Sequence, residues 1–281
     1  MNFIFFGNSR FSVFILEELF QAGFKPYKIV TTPDKPEGRK LILTPTPVKI
    51  WAQKNGIQTY EPERLDAAFT DVLNKEAADL FIVASYGKII PEAILDMPKH
   101  ETLNVHPSLL PLYRGPSPLP TSILDDAKET GVTIMRIDKE VDHGPILAQK
   151  KITITEWPTY EAFEEMMARE GGKLLAETIP GWGAGKIKEQ EQDHSRATFT
   201  KKVKKEDGLI DLSGDQYSIF RKIQAYHEWP QAYFLHKTAS KEIRVKVTRA
   251  SFLGGKLNIE RVIPEGGKEM DYKDFLHGYY R

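Results

Sequence analysis

Met1-Asn2-Phe3-Ile4-Phe5-Phe6-Gly7-Asn8-Ser9-Arg10-Phe11-Ser12-Val13-Phe14-Ile15-Leu16-Glu17-Glu18-Leu19 changes its apolar period at Gly7. Before the glycine lies a short continuous apolar run. After it, Phe11, Ile15, Leu16 and Leu19 recur at helical spacing, so the stretch reads as strand, turn and helix. The alternation continues downstream. Residues 27–32, 79–84 and 102–105 are further strand candidates, and helices are expected near 47–55, 66–76 and 91–96. Repeated strand-helix alternation predicts an α/β fold with a Rossmann-like, mostly parallel sheet covered by helices on both faces. Such folds bind ligands beyond the carboxyl ends of the strands, where the strand order reverses. Gly7-Asn8-Ser9-Arg10 lacks the Gly-x-Gly-x-x-Gly glycines, and the Walker pattern is also missing. A tight turn is therefore predicted there, with no ATP or NAD site.

One strand end carries chemistry. Asn104-Val105-His106-Pro107-Ser108-Leu109-Leu110-Pro111 places an amide and an imidazole two residues apart, and strand alternation turns both to one face. Pro107 and Pro111 prevent a regular helix or central strand directly afterwards, which sets His106 on a rigid, irregular turn. A carboxylate follows in Asp138-Lys139-Glu140-Val141-Asp142-His143-Gly144. Amide donor, imidazole and carboxylate are the groups needed to move an acyl group onto an amine. Each has a plainer reading. A lone histidine near prolines is commonly a hydrogen-bonded loop residue, and Asp142 serves equally well as a cap or turn residue before Gly144. Ser108 reads as a turn hydrogen-bonder rather than a nucleophile, since no Gly-x-Ser-x-Gly elbow surrounds it.

The whole chain bounds these readings. Its 281 residues are 41% hydrophobic and 28% charged, the composition of a soluble globular protein of one large or two ordinary domains. No apolar run approaches the ~20 residues of a membrane span, and the amino terminus enters its first strand without a basic segment or cleavage site. A cytoplasmic protein without a membrane partner is expected. Cysteine is absent, which removes disulfides, thiolate nucleophiles and thiolate metal sites. The seven histidines are scattered, so no dedicated metal site is expected. Net charge is zero, yet residues 196–256 hold 13 Lys and Arg against 6 Asp and Glu, a local balance of +7. That polarity suits an anionic partner near the carboxy-terminal end.

Two more strands are expected at 132–136 and 146–150, around the Asp142 loop. A long helix over 160–178 is expected to end at Pro180-Gly181-Trp182-Gly183. Residues 186–205 are polar, with little apolar periodicity, as in a linker. Beyond them Tyr217, Ile219, Phe220, Ile223 and Tyr226 form an amphipathic helix, followed by short strands at 231–236, 242–250 and 256–263. The expected organisation is a domain over 1–185, a linker over 186–205 and a small β-rich module over 206–281.

Asn-x-His-Pro-Ser-Leu-Leu-Pro, with Tyr113-Arg114-Gly115, Gly131-Val132-Thr133-Ile134-Met135 and Asp142-x-Gly144, resembles the folate-dependent formyltransferases. The resemblance implies that Asn104, His106 and Asp142 are catalytic and that 10-formyltetrahydrofolate is the formyl donor. Folate contacts are implied at Ser85, Tyr86, Gly87, Ile89, Ile90 and Pro91, at Ser108, Leu109, Leu110 and Pro111, and at Asp138 and Val141. In sequence terms Ile89, Ile90 and Pro91 serve equally well as core and turn residues. Further segments narrow the resemblance to the branch acting on initiator methionyl-tRNA. They are Thr32-Pro33-Asp34-Lys35-Pro36-x-Gly38-Arg39 with Thr44-Pro45-Thr46-Pro47-Val48-Lys49, the stretch from Gln192 through Thr198 to Lys202, Lys205-Glu206-Asp207-Gly208, and Arg221-Lys222-Ile223-Gln224-Ala225-Tyr226-x-x-Trp229-Pro230. This branch implies tRNA contacts at Arg39, Lys40, Lys201, Lys202, Lys204 and Lys205, in a monomer. Its carboxy-terminal module is an open barrel similar to an oligonucleotide-binding (OB) fold, for which residues 206–281 are short. Arg39 and Lys40 lead into Leu41-Ile42-Leu43, where many relatives carry more basic residues. Rival readings are a sugar N-formyltransferase, a formyltetrahydrofolate deformylase, or an RNA-binding protein with a degenerate enzyme domain.

Overall fold

The computed structural model describes residues 1–37, 41–238 and 241–279, leaving the side chains of Glu37 and Tyr279 outside the description. The chain forms two compact units. The first comprises Met1–Pro116, Glu129–Thr153 and Glu164–Phe199, and the second Ser117–Lys128, Ile154–Phe163 and Thr200–Arg281.

Unit 1 begins with β1 (Phe3–Gly7), α1 (Arg10–Gln21) and β2 (Lys28–Val30). A hairpin of β3 (Lys35–Glu37) and β4 (Ile42–Thr44) follows, then α2 (Pro47–Lys54), β5 (Thr59–Tyr60), α3 (Ala67–Asn74) and β6 (Leu80–Ala84). After α4 (Glu92–Leu95) and β7 (Thr102–His106) the chain leaves unit 1 for α5 (Pro118–Leu124). It returns as β8 (Glu129–Arg136), β9 (Ile146–Thr153) and most of α6 (Tyr160–Gly183). Seven strands pair in the order β5-β2-β1-β6-β7-β8-β9. The first five are parallel, while β8 runs antiparallel to both β7 and β9.

Every residue of β1 is buried, as a parallel strand covered on both faces requires. Phe11, Ile15, Leu16 and Leu19 form the buried stripe of α1, and the Ser9 side chain caps its start. Gly7 is demanded by space, because a Cβ there would stand 2.7 Å from both the Phe5 ring and Ser12 Oγ. Between β1 and β6 the strand order reverses, and Asn8 ties that point together. Its backbone N–H donates to Ser85 O, its Nδ2 donates to Tyr86 O, and its Oδ1 accepts from Thr31 Oγ1 and the Thr32 N–H. Below lies a core including Ile4, Phe6, Val30, Phe81 and Tyr86. Each large apolar side chain fully buried there contributes roughly 1.5–3 kcal/mol.

The long helix appears where expected, but Pro180 does not end it. The helix continues to Gly183, where Trp182 Nε1 donates to His100 O at 2.8 Å. Just beyond its end, Gly185 with a left-handed φ of +65° lets the Lys186 N–H return to Gly181 O. The polar stretch after it is not free over its first part. Gln190 exchanges backbone hydrogen bonds with Ile146, and the Tyr113 and Arg114 N–H groups donate to Thr198. Residues up to Phe199 thus belong to unit 1.

Unit 2 contains α5, α7 (Gln216–Ala225), β10 (Tyr233–Lys237), β11 (Glu242–Leu253), β12 (Lys256–Pro264), β13 (Met270–Asp271) and α8 (Tyr272–Tyr279). The strands form an antiparallel sheet in sequence order. Ile219 and Ile223 of α7 and Phe275 of α8 join Val245, Val247 and Val262 of the sheet in one core. Among the described residues, no helix is long and apolar enough to cross a membrane.

Asp126 links the segments of unit 2, accepting from Trp157 Nε1 at 2.8 Å and from Tyr217 OH and Lys128 Nζ at 3.0 Å. Burial pushes its carboxyl up, but the hydrogen bonds from Lys128, Trp157 and Tyr217 together hold it below its ordinary 3.8. A depressed carboxylate stabilises the fold fully above its unfolded value, and the contribution fades as pH falls through the folded one. Asp126→Asn is therefore expected to lower the urea midpoint at neutral pH. The gap from wild type should close in acid below 3.8, and a gap unchanged by acid would count against this role.

Candidate active site

Asn104 and His106 share a face of β7 and alternate with Leu103 and Val105, which are buried in the core. β8 pairs Met135 with Asn104 and Thr133 with His106, so it runs toward the amino end of β7. The connection over 137–145 then folds back across the face carrying the amide and the imidazole. Asp142 is where it touches them. Its Oδ1 lies 3.4 Å from Asn104 Nδ2 and 3.6 Å from His106 Nδ1, while its Oδ2 accepts the Gly115 N–H at 2.7 Å. These partners are remote in sequence, so Asp142 is not a local cap. It adopts a left-handed φ of +50°, which aspartate tolerates better than most residues.

His106 is nearly enclosed, and its Nε2 stands 2.9 Å from Tyr113 O. A carbonyl only accepts, so Nε2 carries a hydrogen and Nδ1 faces the carboxylate. Among the described residues the contact to Asp142 is the one side-chain hydrogen bond of Asn104, which leaves its second N–H available. A neutral donor, a ring that carries protons and a carboxylate beside it can stabilise a developing oxyanion and relay a proton.

The segment after His106 is braced rather than reactive. Ser108 Oγ donates to Leu112 O at 2.6 Å, in the expected turn role. Thr133 Oγ1 donates to Ser108 O at 2.6 Å and accepts the Leu110 N–H at 3.2 Å. Leu110 packs with Met135 and Ile146, whereas Leu109 and Pro111 are half-buried.

The residues with implied folate roles divide by exposure. Ser85, Gly87, Ile89, Pro91 and Val141 are exposed, Ile89 to 91%. A Cβ on Gly87, at φ +76°, would meet nothing within 4 Å, so the space beside it is open. Tyr86 instead buries its ring edge-on against Phe6, and burial pushes its hydroxyl up to about 12. Ile90 packs on the same core. Asp138 turns to His143, with Oδ2 2.7 Å from Nδ1. Arg39 and Lys40 lie outside the described residues; Leu41, Ile42 and Leu43, which follow them in the chain, are exposed. Lys201, Lys202, Lys204 and Lys205 are exposed in unit 2. Among the described residues no group of three or more His, Asp or Glu side chains could hold a metal ion.

Gly115, Arg114 and Gln192 have no role among the sequence expectations. Gln192 Nε2 donates to Asp142 O at 3.0 Å and Gly144 O at 2.7 Å, and its Oε1 accepts from Arg114. No apolar period marks these positions. Tyr113-Arg114-Gly115 and the stretch beginning at Gln192 both lie in segments that carry the family resemblance, and that was the available signal.

Residues 1–179 match the formyl transferase family, and residues 202–256 match the formyl transferase C-terminal domain. A methionyl-tRNA formyltransferase from Chloroflexus aggregans is 43% identical over 234 residues, covering 83% of this chain and 76% of its own. Among solved structures, the methionyl-tRNA formyltransferase from Clostridium thermocellum has a TM-score of 0.63 at 18% identity, covering 96% of this chain and 99% of that one. A sugar N-formyltransferase from Shewanella sp. has a TM-score of 0.64 at 19% identity, covering 86% and 95% respectively. At these identities the two structures show a common fold.

Gly144 lets the 137–145 connection close on β8, since a Cβ there would stand 2.1 Å from Arg136 O. Gly144→Ala is expected to cost about 1–3 kcal/mol, the usual range for an overpacked backbone contact. Chemical denaturation checks this, and a wild-type midpoint would show that the connection can shift freely.

Proposed function

The chain belongs to the formyl transferase family, and from that premise we propose that it transfers the formyl group of 10-formyltetrahydrofolate to the α-amine of methionine on initiator tRNA. The observation that carries the reading is the convergence of Asn104, His106 and Asp142. The methionyl-tRNA relatives at about 40% identity favour this acceptor over a nucleotide-linked amino sugar.

The chemistry balances on these groups. The amine lone pair forms a bond to the formyl carbon, and the bond from that carbon to folate N10 breaks with its electrons passing to nitrogen. The attacking nitrogen loses one proton and N10 gains one, so no net proton or oxidant is needed. Asn104 donates its free N–H to the formyl oxygen as negative charge develops, without a proton transfer. His106 hydrogen-bonds the same oxygen or relays the proton through water. Asp142 holds the orientation of the imidazole from its Nδ1 side. Ser85, Gly87, Ile89 and Pro91 offer the exposed surface for the folate, with Val141 on the opposing connection. In the proposed division, residues 1–185 perform the chemistry. Lys201, Lys202, Lys204 and Lys205 with residues 206–281, and Arg39 with Lys40, meet the tRNA backbone.

A transfer assay offering methionyl-tRNA, a nucleotide-linked amino sugar or water as acceptor tests the assignment. Formylation of the tRNA is expected, and formylation of the sugar alone, or hydrolysis alone, would overturn it.

Asn104→Ala and His106→Ala should each slow transfer by ~10²-fold or more with thermal melting little changed, because each removes a group acting at the reacting centre. Asp142→Asn should lower kcat and shift its pH profile more than it alters substrate binding. A folded variant with normal turnover removes its residue from the mechanism. Neutralising Lys201, Lys202, Lys204 and Lys205 should raise KM for methionyl-tRNA and flatten the salt dependence of binding by a little under ~1 unit per lost phosphate contact. An unchanged salt slope would withdraw tRNA docking from this segment.

A further inference from the structure

The Gln192 side chain uses all its hydrogen-bonding capacity inside unit 1. Both amide hydrogens are given to the carbonyls of residues 142 and 144, and Oε1 accepts Arg114 Nε at 3.2 Å and Nη2 at 2.7 Å. Gln192 is 5% exposed and Arg114 3%, so water competes little for these contacts. Arg114 immediately precedes Gly115, the residue whose N–H holds Asp142 Oδ2. One amide therefore joins the backbone of the Asp142 connection to the segment that grips the Asp142 carboxylate.

The backbone at that connection needs such a hold. Asp142 sits at a left-handed φ of +50°, and Gly144 presses against Arg136 O where no side chain fits. Arg114 is itself kept in plane from the other side by His194, whose Nδ1 lies 2.8 Å from Nη2 and whose ring stacks on His143 at 4.1 Å.

We infer that Gln192 is a positioning residue for Asp142, fixing the carboxylate against Asn104 and His106 from a segment that follows the helix of residues 160–183. The inference rests on the reading of Asp142 as part of the reacting centre. Without the two N–H donors the carbonyls of residues 142 and 144 lose these bonds, the left-handed turn relaxes, and the carboxylate leaves its place between the amide and the imidazole. Gln192 touches no substrate in this scheme, so substrate affinities should survive its loss.

Gln192→Glu keeps the length and the Arg114 contact but removes both donors. It should lower kcat by ~10-fold or more, since a displacement of about 1 Å at a reacting centre is costly, while KM for methionyl-tRNA and for the folate stays within about twofold. In an Asp142→Asn background the same change should cost less than about twofold more, because the carboxylate it positions is already gone. Arg114→Lys loses the two-point grip on Oε1 and should show the same pattern, which decides the matter if Gln192→Glu fails to fold. A normal kcat in folded Gln192→Glu, or an equal loss in both backgrounds, overturns the inference. A slow Asp142→Asn beside a normal Gln192→Glu overturns only the positioning role. A normal Asp142→Asn overturns the catalytic reading of Asp142 and this inference with it.

Discussion

The Gly115 N–H holds one oxygen of Asp142 at 2.7 Å, and that contact determines where the other oxygen stands. A backbone donor to a carboxylate is charge-assisted and cannot rotate away as a side chain could. The free oxygen is thereby left between the Asn104 amide and the His106 ring. The Asp142 side chain is 15% exposed, so its field is weakly screened at this point. Residues 104, 106 and 142, two of them remote from the third in sequence, are brought together by this placement.

The sheet supplies the rest. β7 lies between a parallel and an antiparallel neighbour, so the segment after β8 must turn back over the face that bears Asn104 and His106. A purely parallel continuation would carry the chain away through a crossover. Gly144 permits the return, and Asn8 gathers the ends of β1, β2 and β6 beside the open surface at Gly87. Stability and function thus meet in a few short connections, while the apolar strands beneath hold them in register.

Much of this was legible in the sequence because apolar burial leaves a period. β1 and α1 bury a continuous run and a stripe, so both were readable from the first nineteen residues. Asn104 and His106 could be placed on one face by alternation alone. Asp142 was ambiguous because a local cap and a carboxylate aimed at remote groups use the same residue before the same glycine, and its distant partners exist only in the folded chain. The contacts of Gln192 were unreadable for a different reason. It is buried by hydrogen bonds rather than by apolar contact, so its segment looked like a linker. The β3-β4 hairpin left no signal either, being short, exposed on β4 and interrupted by Pro36. Pro180 misled because a proline usually ends a helix, yet here the Trp182 indole pins the last turn to His100 O.

The most direct test of the central claim is a crystal structure with a formylated folate and an amine acceptor bound together. The formyl oxygen should lie within hydrogen-bonding distance of Asn104 Nδ2, about 3 Å, with the acceptor nitrogen about 3–3.5 Å from the formyl carbon and His106 adjoining both. A formyl group seated elsewhere, with Asn104 and His106 still facing only Asp142 and Tyr113, would contradict it.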